Sequence, residues 1–112
     1  MINNVRETWL RDHLNREVFR CIKYLDLDKE GPNYGTRNKQ DLTIRTLKYL
    51  HEWQEGQYQE WNSRLALRLG ISVRIVKENY VDPLIKEGII GKAGSNVIFM
   101  GAPKTQEGSG GS

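Results

Sequence analysis

The chain has 112 residues, 38% hydrophobic and 28% charged, with a formal net charge of +3. That length fits one domain with an added element, and no apolar run approaches the ~18 residues that crossing a bilayer takes. Cys21, the one cysteine, excludes an intrachain disulfide and a paired-cysteine metal knuckle. The start "MINNVRETWL" is polar where a signal peptide has its apolar core, so a cytoplasmic protein is expected.

From about Val5 to Leu25 the spacing predicts a long helix. At 100° per residue Leu10, Leu14, Val18, Cys21, Ile22 and Leu25 share a stripe about 120° wide. Residues 1–25 are thus read as an N-terminal helix, either a dimerisation element or a cover for the rest of the chain. Residues 26–40, with Gly31-Pro32, Asn33 and Gly35, read as a loop with Tyr34 as an anchor.

Asp41 suits an N-cap for the next helix, in which Ile44, Leu47 and Leu50 form one arc, extended by Tyr49 and Trp53 and ended by Gly56. A short linker leads to a helix that buries Leu65, Ala66 and Leu69. Gly70 ends it in the left-handed conformation, and Ser72 caps a third helix. Pro83 removes a helical hydrogen bond, so a kink or a restart is predicted near Asp82, and Gly88 stops the helix. "IIGK" and "VIFMG" flank Gly94, Ser95 and Asn96 and read as a β-hairpin. Residues 102–112, ending in "GSGGS", read as a disordered linker-like tail. The fold class expected is mainly α with a small β-hairpin.

"LALRLGISVRIVKENYV", Leu65 to Val81, places small Ala66 four residues before Gly70 and Val76 six after it. That suits two short helices crossing steeply at Ala66. "LAxxLGIS", a following valine and "LIKEGII" together resemble the winged helix-turn-helix of small DNA-binding transcriptional regulators, over about residues 41–101. The resemblance implies double-stranded DNA as partner, with the third helix in the major groove. With Val76 and Tyr80 inward, Arg74 and Glu78 point outward. Arg74 is then the candidate for a guanine edge, and Lys77 and Ser72 for phosphate. Arg64 and Arg68 would pair with the DNA backbone, and Lys92 and Asn96 would carry the wing to the minor groove or a phosphate. Acidic Glu78 lies on the same reading face. A homodimer through the Leu10–Leu25 stripe would raise affinity by avidity.

No phosphate-binding loop, GxSxG or HExxH occurs, and neither His13 nor His51 has partners at metal spacing. No enzyme activity, cofactor, metal or small-molecule ligand is therefore expected. Two other readings stay open. Winged helices also serve as protein-interaction modules in larger assemblies, and the same chemistry serves replication initiators and plasmid-maintenance proteins.

Overall fold

A computed structural model of the chain describes residues 8, 9, 11–29 and 36–103. Leu10 and Tyr34, like residues 1–7 and 104–112, lie outside the described residues.

The helix expected over 5–25 is not continuous. Residues 11–13 are helical, but Asn15 is extended (φ −60°, ψ 148°) and its side chain accepts the Glu17 N–H at 2.8 Å. An asparagine in that conformation is an N-cap, so the chain starts a new helix there, α1 (Arg16–Tyr24). Val18, Cys21 and Ile22 of the apolar stripe are buried, in one core with Leu47 and Leu50 of this same chain. Leu14 is half-buried against that core.

The loop after α1 is shorter than the sequence suggests. Thr36 accepts the Lys39 N–H at 3.1 Å and starts α2 (Arg37–Trp53), so Asp41 lies one turn inside the helix instead of at its cap. Buried Gln40 holds the loop by donating to the Lys29 carbonyl at 2.8 Å. Two further polar residues, Thr43 and Thr46, satisfy their buried hydroxyls on the carbonyls of Lys39 and Leu42.

Helix α2 ends at Gln54, whose φ is 72°, and not at Gly56. Gly56 is the centre of a strand where a linker was expected, β1 (Glu55–Gln57). Next come α3 (Tyr58–Leu69), the left-handed Gly70 (φ 73°), and Ser72, whose hydroxyl accepts the Ile75 N–H at 3.2 Å. Helix α4 runs unbroken over 73–86. It does not stop at Pro83. It widens instead: Lys77–Val81 is π-helical and the Asp82 N–H donates to the Lys77 carbonyl, five residues back. The proline ring would crowd the carbonyl four residues before it, and the wider turn relieves that contact without a break.

Gly88 (φ 87°) closes α4, and β2 (Ile90–Ala93) and β3 (Asn96–Phe99) form the expected hairpin. The sheet nevertheless has three antiparallel strands, in the order β1-β3-β2, with Gly56 opposite Val97 and Ile90 opposite Phe99. β1 is only three residues long and lacks an apolar alternation, which is why the sequence hides it. The fold is therefore mainly helical with a small three-stranded antiparallel sheet.

The first two residues expected in the tail, Ala102 and Pro103, are half-buried, and Gly101 before them is buried. The Met100 and Gly101 N–H groups donate to the Ile89 carbonyl, and the Ala102 N–H donates to Glu17 Oε2 at 2.7 Å. The chain end after β3 is thus clasped to α1.

Candidate nucleic-acid interface

Capping fixes where α4 begins. Because the Ser72 hydroxyl is committed to the Ile75 N–H, the first turn presents Val73, Arg74 and Ile75 to solvent, while Val76 and Tyr80 are buried. Arg74 is more exposed than Lys77, its side chain 84% accessible against 46%. Its Nε lies 3.2 Å from Glu78 Oε2, one turn along. Lys77 Nζ lies 3.5 Å from Asp82 Oδ2. Both cations that the sequence assigns to the reading face therefore rest on carboxylates of their own helix, and Glu78 acts as the resting partner of Arg74.

Tyr58 holds this group together. Its hydroxyl donates to Asp82 Oδ1 at 2.5 Å, linking the first residue of α3 to the middle of α4. Partial burial and then the Asp82 carboxylate push its phenol above the ordinary range. The Tyr58 oxygen and the Asp82 carboxylate in turn hold the Lys77 ammonium above its usual value. On the hairpin side, Lys92 Nζ sits 4.9 Å from the Tyr58 ring centroid and donates to the Gly94 carbonyl at 2.9 Å. The Tyr58 N–H itself donates to the Ser95 carbonyl at 2.8 Å. One residue thus fixes the hairpin turn relative to α4. Neither Tyr58 nor Asp82 stands out in the sequence, because nothing local relates residues 24 positions apart.

Ser72, Arg74, Lys77 and Glu78 follow one another along α4, and Lys77 and Lys92 meet at Tyr58. Asn96, opposite Ala93 and Gln57 in the sheet, opens β3 beside the same turn. A depression of about 600 Å³ over the outer sheet face is lined by Gly91, Lys92, Asn96 and Ile98, with Glu55 and Glu60 also along it.

Arg64 and Arg68 do not join the group. The Arg64 guanidinium lies 4.2 Å from the Trp53 ring centroid, and that of Arg68 lies 5.5 Å from Tyr49. Arg45 donates to the Arg68 carbonyl at 3.1 Å. These cations cover α2 instead of flanking α4. Tyr49 and Trp53, which extend the arc of Ile44, Leu47 and Leu50, are only half-buried and serve as their stacking surface, whereas Trp61 of α3 is fully buried.

His13 is exposed and stacked on Trp9, and His51 meets the edge of Phe99. Among the described residues no three His, Cys, Asp or Glu side chains converge as a metal site, and no helix is long and apolar enough to cross a membrane. No known protein family, curated protein or solved structure matches this chain.

Proposed function

We propose that the chain binds double-stranded DNA as a winged helix-turn-helix protein of the small transcriptional-regulator kind, with α4 in the major groove and the β2–β3 hairpin as the wing. The observation that carries this reading is that Lys77, through Asp82, and Lys92 meet at Tyr58, while Arg74 stands exposed about one turn before Lys77 on the same helix. A capped helix with cations on its first turns, joined through Tyr58 to a hairpin bearing another, supplies both base-edge and phosphate contacts.

The resting ion pairs do not oppose this reading. An exposed pair one turn apart, such as Arg74–Glu78, is worth about 0.3–0.5 kcal/mol. A bidentate guanine contact is worth about 1–3 kcal/mol of discrimination and easily displaces it.

Titration of a labelled duplex at two salt concentrations tests the reading. Binding should weaken with salt, by close to one logarithmic unit per logarithmic unit of salt for each phosphate contacted. Absence of binding at low salt would overturn it. A protein-interaction role is the second reading, favoured by apolar Val73 and Ile75 standing exposed on the same helix turn.

A further inference from the structure

The first turn of α4 carries two apolar side chains that the core does not use. Val73 is 45% and Ile75 44% exposed, one on each side of Arg74, while Val76 supplies the turn's buried contact. Successive helical residues lie about 100° apart, so the three fan out from the axis with Arg74 in the middle. Valine and isoleucine are β-branched and poorer helix formers than alanine, leucine or lysine, so neither helps an exposed turn to form. The same branching holds each side chain in essentially one rotamer on a helix. Their methyl groups therefore stand at fixed places beside the guanidinium. The Ser72 hydroxyl, which accepts the Ile75 N–H at 3.2 Å, fixes the turn itself. The next exposed residues along α4 are Lys77, Glu78 and Asn79, all polar. The apolar surface is thus two small spots parted by a charge, not a continuous patch.

We infer that Val73 and Ile75 read the C5-methyl group of a thymine in a base pair next to the guanine that Arg74 takes. This preference rests on the reading of the chain as a DNA-binding protein and adds to it what the site selects beside guanine. Phosphate oxygens and polar base edges offer an aliphatic side chain no favourable contact. The one apolar group that base edges present in the major groove is the thymine methyl. With the Arg74 fork on one guanine, the residues on its two sides face the neighbouring base pairs. Because both side chains are already held in one rotamer, closing on a methyl group costs little side-chain freedom. A protein partner fits less well. A docking centre is a contiguous, desolvated cluster of anchors, and here exposed Arg74 stands between the two apolar groups.

A duplex selected from a random library, with each thymine in turn replaced by deoxyuridine, tests this, because the replacement removes only the methyl group. The wild type should bind about fourfold more weakly when the thymine beside the guanine is replaced, the worth of one buried methyl-sized group. Val73→Ala with Ile75→Ala should bind the thymine and uracil duplexes alike. Its melting midpoint should be no lower than the wild type's, since alanine is the better helix former. Arg74→Ala should lose the preference for guanine and keep the difference between thymine and uracil. A wild type that binds duplex but shows no such difference at any position overturns the inference and leaves DNA binding standing, with the apolar turn free for a protein partner. A selected site with no thymine beside the guanine, or a double variant that keeps the difference, overturns it equally. A wild type that binds no duplex at low salt overturns the DNA reading itself, and the inference with it.

Discussion

The Tyr58 hydroxyl donates to Asp82 Oδ1 at 2.5 Å, and this one bond joins the beginning of α3 to the widened turn of α4. Tyr58→Phe keeps the ring beneath Lys92 and removes only the bond. A hydrogen bond to a charged acceptor contributes about 1.5–3 kcal/mol when buried, and Tyr58 is half-exposed, so a loss of about 1 kcal/mol is expected. Chemical denaturation of the two proteins measures it. An unchanged midpoint would mean that the bond does not hold α4.

Gly56→Ala should destabilise the domain by about 1–3 kcal/mol, the cost of overpacking. A Cβ there would lie 2.7 Å from Trp61 Nε1, and the Trp61 ring is fully buried and has no room to yield. The cost should appear in the melting midpoint.

Burial, with Glu17 adding to it, pushes the Cys21 thiol up from 9.0 to about 12. The folded chain keeps this proton where the unfolded chain loses it. The resulting stability is present in full below pH 9 and disappears as pH rises from 9 towards 12. Melting midpoints should fall across that window, and less steeply in Cys21→Val. At pH 8 the folded protein should be inert to a thiol reagent and react on denaturation.

Arg74 and Lys77 should fail differently on DNA. Arg74→Ala should cost about 1–3 kcal/mol on a preferred site and leave random duplex comparatively unaffected. Lys77→Ala should weaken every duplex alike and reduce the salt slope by about one. Isotherms on both duplexes at two salt concentrations separate the cases.

The parts of this fold that were legible in the sequence are those written by local chemistry. Gly70 and Ser72 mark the turn and cap between α3 and α4, Val76 and Tyr80 give the buried side of α4, and Gly94-Ser95 gives the hairpin turn. What was missed depends on distant partners or on competition between neighbours. β1 exists because β3 is there to pair with it. Asn15 interrupts an apolar stripe that continues on both sides of it, so periodicity alone runs straight through the break. Pro83 signals trouble in a helix, but the signal does not distinguish a kink from a π turn. Within the candidate site, Ser72, Arg74, Lys77 and Glu78 were readable from one helix. The separation of Arg64 and Arg68 from them was not, since it depends on Trp53 and Tyr49 of another helix.

The clasp between Glu17 and Ala102 also bears on the order in which the molecule is made. Its two partners are 85 positions apart, so α1 leaves the ribosome long before the amide that its carboxylate holds. Closing so long a loop costs entropy that no local contact repays in advance. α2, α3 and α4 form from near neighbours and can assemble while the chain is still growing. Gly101 has φ 88°, and a side chain there would collide with the Glu17 carboxylate, so the clasp accepts only a bare backbone. Closure of the clasp therefore comes after α2, α3 and α4 have emerged, and a nascent chain stalled before residue 102 would carry α1 without this anchor.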